Sequence, residues 1–399
     1  MYLINSSPAH GRPLDPFDQK MLGIAGAQSV ARVLELRGQP SPTPLHALPG
    51  LAAQLGLSDL YVKDEGQRLG LGSFKALGGG YALMRLVQQQ AARQLNRQVD
   101  LAELFSDEIR GVAAGMTFAC ATDGNHGRSV AQGAQLMGAR AVIFVHSGVS
   151  AGRIAAISRF GAEVIRVDGN YDDSVAHAAQ VAAEKGWTVL SDTSWPGYEE
   201  IPGLVMQGYT AIVTEALAEL PELPTHIFLQ AGVGGFAAAI AGHLAIRLGS
   251  ERPHVTVVDP VLAPCIYRSA QAGHPVTVPH THPTAMAMLE CYAPSHVAFR
   301  ILERVADGFM TVEDDDALDV MRRLAAPVGA DPAIVAGESG GAGLAGVIAL
   351  LRVPAAAAAI GLGPKARVLI INTEGATDPA LYAQIVGRQP QEIAMGHSA

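Results

Sequence analysis

Residues 61–82 read Tyr61-Val-Lys-Asp-Glu-Gly-Gln-Arg-Leu-Gly-Leu-Gly-Ser-Phe-Lys-Ala-Leu-Gly-Gly-Gly-Tyr-Ala82, a short apolar run followed by a glycine-rich loop. Ser73 is a predicted helix N-cap, because its hydroxyl can accept a hydrogen bond from an N–H left unpaired at a helix start. Lys75 then falls in the first helical turn, where the partly positive terminus favours anions and lowers the pKa of an amine. A neutral lysine amine is a nucleophile, so the segment predicts a Schiff-base lysine. The alternative is a solvated lysine on an exposed helix.

Composition limits the class of protein. The chain has 399 residues, of which 49% are hydrophobic and 16% charged, as is typical of a globular α/β enzyme with a large core. The formal net charge of −9, without a basic block, argues against nucleic-acid binding. Met1 to Pro13 lacks the pattern of a signal peptide, and the apolar runs are too short to span a bilayer. We therefore expect a soluble cytoplasmic protein with no membrane partner.

The three cysteines, Cys120, Cys265 and Cys291, do not form the even set of a secreted disulfide framework. Cys120 lies in an apolar run and is expected to be a buried thiol. A bridge between Cys265 and Cys291 stays open at this point, although a reducing compartment argues against it.

Hydrophobic spacing predicts the order of helices and strands along the chain. The first part should form helices over Phe17–Leu36, Leu45–Leu57 and Ala76–Leu95, with a strand at Leu60–Val62. The middle should alternate strands Met116–Ala121, Ala141–Val145, Glu163–Val167 and Thr188–Leu190 with helices His126–Met137, Ala151–Phe160 and Tyr171–Lys185. The last part should hold helices Ile201–Leu220, Phe236–Leu248, Val312–Leu324 and Glu338–Leu351, strands Thr225–Leu229, His254–Val258 and Arg367–Ile371, and an irregular stretch, Cys265–Pro294.

Alternating strands and helices of this size build parallel sheets covered by helices, so the predicted fold class is α/β. Residues 81–190 are predicted to form a small α/β domain. Residues 1–80 and 191–399 are predicted to form a larger domain.

A second glycine-rich turn, Gln230-Ala-Gly-Val-Gly-Gly-Phe236, follows an apolar strand and precedes a helix. Backbone N–H groups from Gly232, Val233, Gly234 and Gly235 can converge there on an anion. The turn lacks the third glycine of the dinucleotide fingerprint. It predicts a phosphate cradle, with a tightly packed strand-to-helix turn as the alternative.

These segments resemble the fold-type II pyridoxal-phosphate enzymes, the tryptophan synthase β-like group, and appear in that group's order. The resemblance makes Lys75 the cofactor lysine and aligns Ala121-Thr-Asp-Gly-Asn-His-Gly127 with the loop in which an Asn, here Asn125, contacts the phenolic oxygen of the cofactor. Thr122 to His126 would then hold the substrate carboxylate. In Leu369-Ile-Ile-Asn-Thr-Glu-Gly375, either Asn372 or Thr373 would meet the pyridine nitrogen. The resemblance thus implies pyridoxal 5'-phosphate as the cofactor, a cleft between two domains, a small domain that moves on substrate binding, and a homodimer.

Within this group the chain resembles the diaminopropionate ammonia-lyases. The resemblance rests on Thr-Asp-Gly-Asn-His-Gly-Arg, Asp-Thr-x-Trp-x-Gly-Tyr, Met-Gln-Gly-Tyr and Thr-Glu-Gly, within residues 15–388. It places two carboxylates, Asp123 and Asp192, at the site, and a substrate with a second ammonium group needs such partners.

The resemblance implies α,β-elimination of D- and L-2,3-diaminopropionate to pyruvate and two ammonia. Lys75 would take the α-proton of one enantiomer and Asp123 that of the other, while Asp192 would bind the substrate ammonium or tune Asp123. A serine or threonine dehydratase is the alternative within the class, and a non-catalytic pyridoxal-phosphate protein the alternative outside it. His274, His280 and His282 match no metal-ligand spacing, so no metal site is predicted.

Overall fold

The structure is a computed structural model and describes residues 2–122, 124–169 and 171–395. It contains a seven-stranded and a four-stranded sheet. The strands are β1 Tyr2–Ile4, β2 Leu45–Ala47, β3 Asp59–Asp64, β4 Thr117–Ala121, β5 Arg140–His146, β6 Glu163–Val167, β7 Thr188–Val189, β8 His226–Gln230, β9 His254–Pro260, β10 Gly308–Val312 and β11 Arg367–Asn372.

Helices cover both sheets. They are α1 Pro16–Leu22, α2 Ile24–Leu36, α3 Pro49–Leu55, α4 Lys75–Leu95, α5 Asp107–Ala114, α6 Asn125–Met137, α7 Ala151–Ser158, α8 Tyr171–Lys185, α9 Glu200–Glu219, α10 Gly235–Leu248, α11 Cys265–Ala272, α12 His296–Val305, α13 Asp314–Ala325, α14 Ala342–Leu351, α15 Pro354–Ala359, α16 Pro379–Val386 and α17 Pro390–Met395. In the part of the chain that the structure describes, no helix is long and apolar enough to cross a membrane.

The larger sheet has the order β1-β10-β9-β8-β11-β3-β2. Its five inner strands pair in parallel, whereas β1 and β2 pair antiparallel at the two edges. The smaller sheet has the order β6-β5-β4-β7 and is parallel throughout. The α/β prediction with two parallel sheets is thus confirmed, apart from the two antiparallel edge strands.

Helix α4 joins the two sheets, because it packs against α6 on one side and α9 on the other. Its glycine triplet permits this close approach. A Cβ at Gly78 would lie 2.6 Å from the Tyr209 ring on α9, and a Cβ at Gly133 on α6 would lie 2.8 Å from the Cα of Gly80. Lys75, at the start of α4, therefore lies where the elements of the larger sheet meet those of the smaller sheet. The predicted boundary after residue 80 falls inside this helix, and the division into 1–80 with 191–399 and 81–190 stays a prediction.

Two predicted helices near the N-terminus are wrong in detail. The helix over 17–36 is two helices, because the extended backbone of Gly23 separates α1 from α2 and a Cβ there would lie 2.6 Å from the carbonyl oxygen of Gln19. The predicted helix over 45–57 begins as strand β2, which pairs with β3. Pro49 explains the boundary, because proline fits the first position of a helix but cannot extend a helix that has already begun.

The stretch 265–294 is also more regular than predicted, since it opens with helix α11 and contains the 3₁₀ turn Ala287–Leu289. The structure adds strands β1 and β10 and helices α5, α12, α15, α16 and α17, which the hydrophobic pattern does not predict. Strand β1 has three residues and is defined by its pairing with β10, and such a short segment carries no detectable periodicity.

Candidate active site

Both sheets bring loops to the same cleft at points where the strand order reverses. In the larger sheet the chain leaves β8 toward β9 on one side, while β11 lies on the other side. In the smaller sheet, β5 and β7 flank β4 in the same way. Ligands of open α/β sheets bind at such positions, outside the carboxyl ends of the strands. The loops after β4, β7 and β8 are those in which the sequence predicts Thr122 to His126, Asp192 and Gly232 to Gly235.

Lys75 and Asp192 form an ion pair at this cleft. Lys75 Nζ donates to Asp192 Oδ2 at 2.5 Å, and the two side chains keep 24% and 15% of their surface exposed. The pair therefore faces space that a ligand can enter. Lys75 is the first residue of α4, as predicted.

The predicted low pKa of Lys75 is wrong for this arrangement. Burial lowers the pKa of the Lys75 amine, but the Asp192 carboxylate outweighs burial and holds the pKa above its usual value. Burial likewise raises the pKa of Asp192, and the Lys75 ammonium reverses that shift and lowers it. The sequence identified the helix terminus but not the carboxylate that the fold brings to it.

Ser73 is not the N-cap of α4 either. Phe74 occupies the cap position, and no side chain of the described residues caps this helix. Ser73 forms a β-bridge with Glu374, and its hydroxyl is buried without a hydrogen-bond partner among the described residues. The Phe74 N–H donates to the Thr373 carbonyl at 2.9 Å, which fixes the start of α4 against the end of β11.

The glycine-rich turn after β8 leads directly into α10. Gly234 is the cap residue of α10, with φ 93°, and no side chain caps the helix start. A Cβ at Gly232 would lie 2.9 Å from Cys291 Sγ, and one at Gly234 would lie 2.7 Å from Ile266 Cδ1. The turn therefore needs glycine at these positions, and its uncapped N–H groups fit an anion such as a phosphate. Gly235 lies beside Asp192, whose carbonyl oxygen would be 3.7 Å from a Cβ at that position.

Asn125, the first residue of α6, contacts two ionisable side chains. Its Nδ2 donates to Glu374 Oε2 at 3.0 Å, and its Oδ1 accepts from Arg128 Nη2. These contacts bring the loop after β4 onto the end of β11. Asn125 and Glu374 are both buried, so the loop of one sheet and the strand end of the other meet inside the protein.

Thr122 and His126 frame the same loop. Thr122 Oγ1 accepts from the N–H groups of Gly124 and Gly127, at 3.1 and 3.2 Å, and so fixes the turn. His126 Nε2 lies 3.0 Å from the Leu190 carbonyl, so Nε2 carries the proton, and the buried Nδ1 has no partner among the described residues. Burial lowers the pKa of His126, which keeps the ring neutral. Asp123 lies outside the described residues.

Asn372 and Thr373 differ in how far the protein already uses their side chains. Asn372 Nδ2 donates to Asp64 Oδ1 at 2.8 Å and to the Val335 carbonyl at 3.1 Å. Thr373 Oγ1 instead accepts from Gln230 Nε2 at 2.9 Å, which leaves its own hydroxyl proton available. Thr373 therefore keeps a side-chain donor that none of these contacts uses, whereas both N–H groups of the Asn372 side chain are used within the described residues.

A buried charge network holds the loop before Lys75. Arg68 pairs with Glu65 at 2.7 Å and with Glu215 at 2.6 Å, and Lys63 donates to Glu215 at 2.8 Å. Lys63, Glu65 and Arg68 have side-chain exposures of 0%, 0% and 2%, so the network is shielded from solvent. It ties the end of β3 to α9.

The cysteines and the histidine loop carry no further site. Among the described residues, Cys120, Cys265 and Cys291 form no disulfide bond. His280 is largely exposed and lies 3.6 Å from Glu290 Oε1. Across the described ranges, no group of three or more His, Cys, Asp or Glu side chains could hold a metal ion.

Several site residues were not predicted from sequence. Gln230 and Glu374 lie in segments that the sequence marks as part of the site, but no role is predicted for either side chain. Tyr209 packs its ring 4.8 Å from that of Phe74, the residue before Lys75. The available signal was the presence of polar residues inside apolar and glycine-rich segments at strand ends. Such a signal indicates that a position belongs to the site, but it does not predict which side chain that residue contacts.

This combination defines an enzyme class: a lysine at a helix start between two sheets, paired with a carboxylate whose backbone lies beside an uncapped glycine turn. The chain belongs to the pyridoxal-phosphate dependent enzyme family, whose model matches residues 36–374. The residues fit the cofactor, because the uncapped turn can hold its phosphate and Lys75 can bind its carbonyl carbon.

Among its relatives, diaminopropionate ammonia-lyase of Escherichia coli strain K12 is 40% identical over 361 residues, which cover 88% of this chain and 89% of that protein. Two crystal structures of the Escherichia coli enzyme, one in complex with an aminoacrylate-PLP azomethine reaction intermediate and one with D-serine, match with a TM-score of 0.86 and 36% identity. Each match covers 97% of this chain and 96% of the other. The resemblance noted from the sequence is confirmed.

Proposed function

We propose that this protein is an ammonia-lyase that converts D- and L-2,3-diaminopropionate, with one water, to pyruvate and two ammonia. The observation that carries the proposal is the Lys75–Asp192 pair. To act as a base, Lys75 must be a neutral amine, which no longer neutralises Asp192, and a largely buried carboxylate then needs another cation. The second ammonium of diaminopropionate supplies one, whereas serine and threonine do not.

The remaining residues support roles in holding the cofactor. When bound, the cofactor draws electrons from the substrate α-carbon and so makes the α-proton acidic. Gly232, Val233, Gly234 and Gly235 would hold its phosphate by backbone N–H groups. Asn125 would donate to its phenolic oxygen and Thr373 to its ring nitrogen, with Asn372 left to the contacts that fix β11 against β3.

On the substrate side, the loop from Thr122 to His126 would hold the carboxylate through the N–H groups at the start of α6. With the carboxylate fixed, the two enantiomers present their α-protons to opposite faces of the cofactor. Lys75 would take the proton of the L form. Asp123 would take that of the D form, a role proposed from sequence alone.

The decisive test is the stoichiometry of products from the purified holoenzyme. Diaminopropionate should give two ammonia for each pyruvate, in both enantiomers, and Lys75→Ala should abolish turnover. Faster release of keto acid from serine or threonine would make the protein a dehydratase. Bound cofactor without turnover of any of these amino acids would make it a non-catalytic binding protein.

The role of Asp123 has its own test. Asp123→Asn should lower turnover of the D form by at least about a hundredfold, as for loss of a general base, and affect the L form less. An equal fall for both forms would limit Asp123 to binding the second ammonium.

The assembly and movement of the protein are further parts of the proposal. We propose a cytoplasmic homodimer in which the small domain closes on substrate. Cys265 and Cys291 form no disulfide among the described residues, which fits a reducing compartment. The Asn125–Glu374 contact joins the start of α6 to the end of β11, the two parts that closure would bring together. Sedimentation tests the dimer, and solution scattering with and without a substrate analogue tests closure.

A further inference from the structure

Two buried carboxyl groups at the end of β11 are not used by the proposed function. Glu374 is 2% exposed and Glu338 is 3% exposed. The Oε1 atom of each is buried and has no hydrogen-bond partner within the described residues. Both lie in the segments that pack against each other at the strand end, since the Gly337 N–H donates to the Glu374 carbonyl at 3.0 Å.

Two neighbouring carboxyl groups away from water cannot both be ionised at low cost. Burial, together with the charge of Glu338, raises the pKa of Glu374 to about 8. Burial also raises the pKa of Glu338. The other charged groups that act on the pair are Arg153 and Arg128, which favour the ionised forms, and Asp378, which opposes them. The two free Oε1 atoms are thus the places where a proton can reside.

Glu374 and Arg128 together fix the orientation of the Asn125 amide. Glu374 Oε2 accepts one N–H of Nδ2 at 3.0 Å, and Arg128 donates to Oδ1, so the amide cannot turn over without losing both contacts. An amide nitrogen has two N–H groups, and the second one of Asn125 has no acceptor among the described residues. It is free for a ligand oxygen.

We propose that Glu374 works in its protonated form as a positioning residue, holding the Asn125 amide so that its second N–H meets the phenolic oxygen of the cofactor. This inference rests on the proposed role of Asn125. The physical reason for the proton is charge. The phenolic oxygen carries negative charge, and an ionised Glu374 on the same amide would repel it, whereas a neutral carboxyl accepts from Asn125 at no such cost.

The Glu374→Gln substitution distinguishes the protonated from the ionised form of Glu374. The glutamine amide resembles a protonated carboxyl, because it has an acceptor on one atom and a donor on the other. We expect Glu374→Gln to retain the cofactor as the native protein does. Glu374→Ala should weaken cofactor binding by about tenfold, the scale of one lost hydrogen bond. Equilibrium dialysis of the holoenzyme without substrate measures both. A Gln variant as weak as the Ala variant would mean that the ionised carboxylate is required, and would overturn the proposal.

A pH titration of the visible absorption of the bound cofactor supplies the second readout. The native holoenzyme should show a change at or above pH 8 that Glu374→Gln lacks, since burial and Glu338 raise the Glu374 pKa to about 8 and the negative phenolic oxygen would raise it further. Glu338→Gln should move this change to lower pH, because it removes the neighbouring charge. If the change persists in Glu374→Gln, or if both Glu374 variants lower thermal stability with unaltered cofactor affinity, Glu374 is only structural. A titration shifted by added Mg²⁺ or K⁺ would assign a cation to the pair and equally overturn the proposal.

These readouts require bound cofactor but no substrate. Failure of the diaminopropionate assignment would therefore leave this test intact, and a negative result here would not alter the product stoichiometry.

Discussion

Lys75 Nζ lies 2.5 Å from Asp192 Oδ2, so the amine that we propose reacts with the cofactor is paired with a carboxylate. The two residues are 117 positions apart in sequence, one at the start of α4 and the other after β7. Their contact favours the ammonium form of Lys75, and a neutral amine is needed for attack on a carbonyl. We therefore expect the pair to control how readily the cofactor is taken up.

Asp192→Asn should speed cofactor uptake at neutral pH. Without the carboxylate, burial is left to lower the pKa of Lys75, and each unit of fall gives about ten times more neutral amine. Stopped-flow measurement of visible absorbance, on mixing cofactor-free protein with pyridoxal phosphate, follows the uptake. Lys75→Ala is the control and should show no such signal. An unaltered pH profile in the Asn variant would contradict the electrostatic role of Asp192.

Gly235→Asp should weaken cofactor binding without weakening the fold. A Cβ has room at this position, with its nearest neighbours 3.7 Å away, unlike one at Gly234. A carboxylate about 5 Å from the phosphate costs about 3 kcal/mol at an effective dielectric constant near 20, or about a hundredfold in Kd. An acid in the first turn of α10 favours the helix by about 0.3–1 kcal/mol.

Gly235→Asn is the matched control, since it has the same shape without the charge. Equilibrium dialysis gives the affinities, and urea unfolding of the cofactor-free proteins gives the stabilities. Equal affinities for the Asp and Asn variants would argue against a phosphate at this turn.

Glu374 should make the stability of the cofactor-free protein fall as pH rises. Its pKa is raised in the folded state from an ordinary value of 4.5 to about 8, so the folded chain binds more protons than the unfolded chain between these values. Its contribution is fully present below pH 4.5 and is lost as pH rises through about 8. Within this window the slope reaches about 1.4 kcal/mol per pH unit.

The difference between native and Glu374→Gln unfolding curves isolates this contribution from that of other titrating groups. It should grow in favour of the Gln variant from pH 5 to pH 8. Parallel curves would place the Glu374 pKa near its ordinary value.

Glu65→Gln should destabilise the protein by about 3 kcal/mol, because it removes one of the two carboxylates that pair with the buried Arg68 and leaves only Glu215. Glu35→Gln is the control. Glu35 pairs with Arg32 at the surface, over the same three-residue spacing, and its loss should cost at most about 1 kcal/mol. Denaturant unfolding measures both, and similar values for the two variants would show that the network before Lys75 adds little.

The sequence predicted the helices and strands best where they alternate regularly, between Thr117 and Lys185. There each segment has its own hydrophobic period, and periodicity is a local property. Edge strands β1 and β2 were missed because each has three residues and exists only through its partner strand. A segment of that length has no period to detect.

The candidate site also has features that local sequence predicts and features that only packing decides. The sequence by itself determined the positions of Lys75, Asn125 and the glycine turn, because each lies at a strand-to-helix junction whose residue types have a local reason. Only the tertiary structure decided which side chains these residues contact. Asp192 pairs with Lys75, and Glu374 accepts a hydrogen bond from Asn125. Gln230 donates a hydrogen bond to Thr373 and not to Asn372. Local sequence fixes which backbone groups a turn exposes. The charge and pKa of a side chain depend on groups brought near by packing, over separations in the chain that no local pattern encodes.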